Sequence, residues 1–422
     1  MSDRSPADIV TTSYEARPED VNRVLLLYSG GLDTSVMLHW IQANYDAEVY
    51  ALCVNLGQPK EDFDVVIGKA FDLGAKACDV VDARKEFAEE YVLPAIKANA
   101  LYGGGYPLFT ALGRPLIAKL AVEYARKYDC DTIAHGCTGK GNDQVRIEGT
   151  VATLAPEIKT LAPVRNWQMG REEEIEYCRQ HGIKIAGGTE AAPYSIDDNL
   201  WGRSSEGRSI EDLSAAPEPD VFQLVTRPEE APDTPLDVEI GFEAGRPVSL
   251  DGEKLDLVPL IEKLGELGCA HGVGIVDHIE DRIVGLKVRD IYEVPAATIV
   301  LTAHKELEKL VCTSHQNQFK PQLDNQWAYL AYAGLWWEPL REDLDAYMES
   351  VNQQATGSIT VRLFKGSATV VRRSSPNAVY DQELAGFSES GGLFSQQASP
   401  GFIELWTLQS RMAYQVRSRK ND

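Results

Sequence analysis

No run in this 422-residue chain approaches the roughly 18 apolar residues that a membrane-crossing helix needs. The first 20 residues, MSDRSPADIVTTSYEARPED, are polar and acidic and contain no apolar stretch of the kind an export signal carries. Cysteine is sparse: Cys53, Cys78, Cys130, Cys137, Cys178, Cys269 and Cys312 are odd in number, and none stand in C-x-x-C spacing. That argues against a disulfide framework and against a structural zinc site. These absences predict a cytoplasmic protein. Basic residues are also short, 41 Lys and Arg against 64 Asp and Glu, for a net charge of −23. A protein that coats nucleic acid or an anionic membrane needs the opposite excess, so neither is expected as a partner. Two familiar phosphate motifs are missing as well. Gly68-Lys69 is followed by Ala70 and Gly139-Lys140 by Gly141, so there is no Walker A loop, and no G-x-G-x-x-G occurs.

What is present is ordinary globular composition, 44% apolar and 25% charged, in a chain long enough for two or three domains. Val24–Tyr28 is short, fully apolar and stopped by Ser29-Gly30-Gly31, as a buried parallel strand is. Residues 35–43 read as a helix and Val49–Val54 as a second strand, completing a βαβ unit. Further helices are expected over 84–102 and from Arg114-Pro115, where proline suits a first turn. Thr132–Ala134 is a short strand. Residues 20–185 thus predict a doubly wound α/β domain with a parallel sheet. Residues 211–237 carry five prolines among many acids and read as a long surface connection. Beyond it, Val238–Phe242 with Pro247–Leu250 and Ser358–Phe364 with Ala368–Val371 read as hairpins turning at Ala244-Gly245 and Lys365-Gly366. With helices at 257–267, 296–312 and 339–353, residues 186–395 predict an α+β domain. Residues 396–422 end in a helix with Phe402, Leu405, Leu408, Met412 and Val416 at helical spacing. An apolar terminal helix needs a partner surface, and a neighbouring subunit fits that need.

The first strand runs into Ser29-Gly30-Gly31-Leu32-Asp33-Thr34-Ser35. Two glycines let backbone amides approach an anion, the helix N-terminus adds free N–H donors, and three hydroxyls add more. Asp33 either caps the helix or holds a metal ion bound to phosphates. This loop resembles the pyrophosphate loop of the ATP pyrophosphatases, which cleave ATP between its α and β phosphates. That group includes argininosuccinate synthase, GMP synthase, asparagine synthase, NAD synthase and tRNA thiolation enzymes.

A second loop follows Thr132–Ala134 and reads HGCTGKGNDQVR from His135 to Arg146. Its mixture of small residues, amide and hydroxyl donors and opposite charges suits a zwitterionic amino acid: Asn and Thr can hold a carboxylate, Asp an ammonium, Arg or Lys a second anion. The loop is similar to the signature of the argininosuccinate synthase family. The likeness extends through Asn55–Gln58, Pro94–Tyr102, Arg114–Lys119, Pro193–Arg203 and His271–Gly274. The resemblance implies a ligase that uses ATP and Mg²⁺. Citrulline is activated as citrullyl-AMP with loss of pyrophosphate, and aspartate then displaces AMP to give argininosuccinate. It assigns Leu27, Tyr28, Ser29, Gly30, Gly31, Leu32, Asp33, Thr34, Ser35, Val54 and Gly136 to ATP. Thr138, Asn142 and Asp143 fall to aspartate; Tyr106, Thr110, Ala111, Asn142, Arg146, Ser195, Ser204, Glu280 and Tyr292 fall to citrulline. Asp33, Asp143 and Arg146 are the expected catalytic residues, and a homotetramer is the expected assembly. The base for the aspartate amine is either Asp143 or the departing phosphate oxygen.

Some positions depart from the family pattern. Gly105 stands where Arg is expected, Phe109 for Gly, Ala111 for a residue that is often Ser, Asp281 for Asn, Val288 for Ser and Asp290 for Gly. They cluster around the citrulline positions, which keeps open a paralogue that activates a different ureido or amide acceptor. A non-catalytic adenine-nucleotide binder would need only the first loop. His135 reads as a loop-orienting residue, Cys137 as packing, Trp327, Trp336 and Trp337 as core or subunit contact, and Glu172–Glu174 as a solvated helix start.

Overall fold

The computed structural model describes residues 15–59, 62–165, 167, 169–183, 194–386 and 395–419. Residues 1–14 of the polar leader, Pro193 of the Pro193–Arg203 segment, the 185/186 domain boundary and the tail residues Lys420 and Asp422 lie outside them. The chain forms two compact units, Met1–Asn377 and Ala378–Asp422.

The first unit begins with a five-stranded parallel sheet built from β1 (Arg23–Leu27), α1 (Leu32–Tyr45), β2 (Glu48–Asn55), α2 (Phe63–Asp72), β3 (Ala77–Asp82), α3 (Phe109–Lys127), β4 (Thr132–Ala134), α4 (Asp143–Leu154), β5 (Lys159–Leu161) and α5 (Arg171–His181). The strand order is β3-β2-β1-β4-β5 and every pairing is parallel. Val24, Leu25 and Leu26 are fully buried, as a strand covered on both faces requires. The order reverses between β1 and β4, so the loops leaving their C-terminal ends flank the crevice where doubly wound sheets bind ligands.

Two helix expectations need correction. The helix expected at Arg114-Pro115 begins at Phe109, with Pro115 inside it. Its first turn is held from outside, because the Tyr106 hydroxyl accepts the N–H groups of Thr110 at 3.2 Å and Ala111 at 3.4 Å. The preceding Leu108 sits in the left-handed region at φ 65°, a conformation costly for a branched residue. The helix expected over 84–102 runs only to Lys97 and contains a π-helical stretch at Phe87–Val92. Asn99 turns the chain at φ 41°, and its amide donates to Glu308 at 2.5 Å.

A four-stranded antiparallel sheet follows, from β6 (Ser195–Asn199), β7 (Gly202–Glu206), β11 (Ile275–Asp281) and β12 (Lys287–Glu293), ordered β11-β12-β7-β6. The second antiparallel sheet is β10-β9-β8-β13-β14, with β8 (Leu236–Glu243), β9 (Arg246–Leu250), β10 (Glu253–Lys254), β13 (Gly357–Phe364) and β14 (Ser367–Ser374). Both expected hairpins are there. Ala244-Gly245 and Lys365-Gly366 each take two successive positive φ angles, the requirement of a type I′ turn. Helices α6 (Leu257–Ala270), α7 (Pro295–Val311), α8 (Ser314–Tyr332) and α9 (Pro339–Asn352) complete this part. One core cluster runs from Leu25 and Phe87 to Val238 and Leu363, so the parallel sheet and the later elements share an interior. Trp327 and Trp336 are buried in it, with Trp336 stacked on Tyr91 at 4.6 Å.

The 211–237 connection is more firmly held than a surface strap. Val221 and Val225 are buried, and the buried Glu293 carboxylate accepts the N–H groups of Gln223, Leu224 and Val225 at 3.3, 2.8 and 2.6 Å. In the acidic start of α5, Glu172 and Glu173 are exposed but Glu174 is buried. The second unit contains α10 (Ala398–Trp406) and α11 (Leu408–Ser418), so the expected terminal helix is broken at Thr407. No helix among the described residues is long and apolar enough to cross a membrane.

Candidate active site

Two cavities meet at the C-terminal ends of β1 and β4. The larger, about 750 Å³, is lined by Leu27, Tyr28, Ser29, Gly31, Leu32, Asp33 and Thr34 from the first loop, and by Leu52, Cys53 and Val54 from β2. Gly136, Ile117 and Ile147 continue its wall. Apolar side chains on one side and loop amides on the other suit a purine and its phosphates. No side chain caps the N-terminus of α1, whose first residues line this groove, so its first-turn amides lack a side-chain acceptor. Nine of the eleven positions expected to touch ATP line it. Gly30 and Ser35 do not, and shape the loop instead. Gly30 lies at φ 73°, its carbonyl accepts Lys69 Nζ at 2.7 Å, and a Cβ there would meet Val66 at 3.0 Å. Ser35 is buried, its hydroxyl donating to the Gly31 carbonyl at 2.5 Å rather than facing the groove. At Gly136 a Cβ would meet Met37 Cε at 2.7 Å.

The second cavity, about 300 Å³, is lined mainly by polar and charged residues. Asp33, Tyr106, Thr110, Thr138, Asn142, Asp143, Arg146, Ser195, Ser204, Glu280 and Tyr292 line it. Of the positions expected to bind the two amino acids, only Ala111 is absent: it is fully buried and its N–H is turned to Tyr106. One face of the β11-β12-β7-β6 sheet forms a wall. Registers pair Ser195 with Glu206, Asp197 with Ser204, Ser204 with Tyr292 and His278 with Asp290. Alternation therefore brings Ser195, Asp197, Ser204, Glu206, Asp290, Tyr292, His278 and Glu280 to a common side.

Charge in this cavity is arranged in chains. Asp143 accepts from Arg114 Nε at 2.7 Å and from Arg146 Nη1 at 2.8 Å, while Arg114 Nη2 reaches Asp197 at 2.7 Å. Burial opposes the charge on Asp143, but the two guanidiniums outweigh it and hold the carboxyl well below its usual range. Asp143 is accordingly a weak base. Arg146 is buried, lies over the Tyr332 ring at 5.0 Å, and leaves Nη2 without a hydrogen-bond partner. Glu280 takes three hydrogen bonds: from Tyr292 at 2.6 Å, Tyr332 at 2.7 Å and the Asn142 amide at 3.1 Å. Tyr106 stacks on Tyr292 at 4.5 Å and bonds to Thr110. His135 bridges inside the loop, Nδ1 accepting the Cys137 N–H at 3.2 Å and Nε2 donating to Glu148 at 3.1 Å. Desolvation and the nearby Asp143 push the Cys137 thiol upward, away from nucleophile chemistry.

Sequence reasoning missed Arg114, Asp197, Glu206, Arg282 and Tyr332, and marked Asp290 only as a departure near the citrulline positions. The i, i+2 rule applied to Ser195 and Ser204 would have put Asp197 and Glu206 on the same face. Tyr332 carried no such signal, since it reaches the site from α8 across a large sequence distance. Among the departures, Gly105 has a reason: a Cβ there would meet His278 Nδ1 at 2.9 Å. Phe109 is buried edge-on to Tyr106 at 5.8 Å.

A parallel sheet of this order, an uncapped Gly-rich loop at its switch point and a charged cavity beside it define a nucleotide-binding enzyme of the doubly wound α/β class. Residues 23–184 match the arginosuccinate synthase N-terminal HUP domain, and residues 194–413 match the arginosuccinate synthase C-terminal domain. Among curated proteins, argininosuccinate synthase of Rubrobacter xylanophilus is 55% identical over 92% of this chain and 94% of its own length. Those of Symbiobacterium thermophilum and Pyrococcus furiosus are each 49% identical, over 94% and 93% of this chain and 99% and 95% of theirs. The chain belongs to the argininosuccinate synthase family.

Proposed function

We propose that the protein ligates citrulline and aspartate to argininosuccinate in arginine biosynthesis, converting ATP to AMP and pyrophosphate. Family membership over nearly the whole chain supports the reaction. The observation that carries it to this site is the shared wall: Asp33, Arg114, Gly136, Cys137 and Asp197 line both the nucleotide groove and the polar cavity. A nucleotide in one and an amino acid in the other meet there.

In the first step the ureido oxygen of citrulline attacks the α-phosphorus and pyrophosphate leaves. Negative charge then gathers at the β1–α1 loop, where the first-turn amides of α1 lack a side-chain acceptor. The ureido group is a poor nucleophile, so positioning supplies much of the rate. Tyr106, Thr110, Ser195, Ser204, Glu280 and Tyr292 form the walls that hold citrulline, and Arg146 presents its free Nη2 to a carboxylate. In the second step the aspartate amine attacks the activated carbon and AMP departs. Thr138, Asn142 and Asp143 sit where aspartate would dock. Asp143 pairs with its ammonium but is held too acidic to take the proton well, so the phosphate oxygen of the leaving AMP is the better acceptor.

Mg²⁺ supplies charge neutralisation of the phosphates. The ion would arrive with ATP, and Asp33 at the head of α1, a carboxylate lining the groove, would meet it there. We place the enzyme in the cytoplasm and assign its apolar tail to assembly of a homotetramer. The reaction is tested by pyrophosphate release from ATP and Mg²⁺, with citrulline and aspartate added separately and together. Argininosuccinate and pyrophosphate should form in equal amounts only with both. Their absence would sink the assignment.

A further inference from the structure

We propose that Asp290 determines acceptor specificity in the ligation: with Glu280 it forms a two-carboxylate seat for the α-ammonium of the ureido amino acid, an inference that rests on reading the polar cavity as the citrulline site. Three carboxylates, Glu206, Glu280 and Asp290, enter the cavity from β7, β11 and β12, and Arg282 is the cation beside them. They are unequally satisfied. Glu206 is paired with Arg282. Glu280 takes three hydrogen bonds from Tyr292, Tyr332 and Asn142. Asp290 is 5% exposed, its Oδ1 has no hydrogen-bond partner, and its nearest cation is Arg282 Nη2 at 3.7 Å. Its Oδ2 receives only a long bond of 3.4 Å from Tyr292.

A buried carboxylate left this way is costly unless a cation completes its surroundings. The opposite need exists in the same cavity, where Arg146 Nη2 is buried and unpartnered. A zwitterion satisfies both, its carboxylate on Arg146 and its ammonium on Asp290 and Glu280. The ureido end is then free for the nucleotide side.

The groups facing Asp290 set a pH signature. They are Glu206 from β7, Glu280 and His278 from β11, Tyr292 from its own strand, and Arg282 after β11. Burial, then Glu206 and Glu280, push the Asp290 carboxyl up to about 7 against the pull of Arg282. Burial lowers His278 below its ordinary value, against the opposing pull of Glu280 and Asp277. The ammonium seat needs the charged carboxylate, so citrulline should bind more tightly as pH rises from 6 to 8.

The test compares wild type, Asp290→Asn and Asp290→Glu by steady-state kinetics across that range, with 5-ureidopentanoate, which lacks the amine, as competitor. In Asp290→Asn the citrulline KM should rise by about tenfold, a change of the size expected for one lost charge-assisted contact. Its fall between pH 6 and 8 should flatten, kcat and the ATP KM should hold within about twofold, and inhibition by 5-ureidopentanoate should stay as in wild type. Asp290→Glu should recover part of the affinity and of the pH response. An unchanged citrulline KM, or equal weakening of citrulline and the amine-free analogue, overturns the role of Asp290 alone. A wild-type enzyme that makes no argininosuccinate overturns the parent reading and this inference with it.

Discussion

Arg146 divides one guanidinium three ways: it pins Asp143, bonds the Tyr332 carbonyl at 3.0 Å, and keeps a buried Nη2 without a partner beside the cavity it lines. Lysine cannot do this, because a point ammonium lacks the planar fork. Both Arg146→Ala and Arg146→Lys should raise the citrulline KM by tenfold or more, roughly the worth of a charged hydrogen bond, while leaving the ATP KM within about twofold. Initial-rate kinetics with each substrate varied in turn checks this, and equal effects on both constants would remove Arg146 from the acceptor site. At this scale the His135–Arg146 loop was legible because its chemistry is dense and local. Arg114 and Tyr332 were not, because each becomes a site residue only when distant elements meet.

The elements show why some patterns read clearly and others did not. The hairpins at Ala244-Gly245 and Lys365-Gly366 were legible since apolar alternation and turn chemistry agree. The β11-β12-β7-β6 sheet was invisible for a physical reason. Strands such as Ser195–Asn199 and Gly202–Glu206 turn polar side chains to a polar cavity, so the apolar alternation that marks a strand is missing. Pro115 misled because the start of α3 is set by the Tyr106 hydroxyl rather than by proline. Glu293 offers a test of element-level anchoring. Glu293→Ala leaves three amides of the 223–225 segment without their acceptor and should cost about 3 kcal/mol, since bonds to a charged group contribute more than neutral ones. Glu293→Gln, which keeps one acceptor oxygen, should cost less. Urea unfolding measures both, and limited proteolysis should open new cuts near residues 211–222 in the Ala variant. An unchanged midpoint and digest would show that the segment is held by its buried valines alone.

For the whole molecule, the net charge of −23 and the apolar tail pose related questions. Leu405, Trp406 and Tyr414 are each 75% exposed, and the helices that carry them also present Arg411, Arg417 and Arg419. Apolar area of this kind marks an interaction site, and basic residues on an acidic chain fit a second copy of it. A chain ending at Asn377 should lose only the far-ultraviolet circular dichroism of α10 and α11 and, by light scattering, form a smaller species than the full chain, for which we propose a tetramer. The same mass for both would remove the tail from assembly. The wall common to groove and cavity has a consequence of its own. On the proposed reading, an activated ureido group made beside Asp33, Arg114 and Asp197 would already border the cavity that takes the amine, so no journey through solvent would separate the two half-reactions. The fate of that group would then be a race between amine and water, and keeping water out would be as much a task of the fold as holding the substrates in.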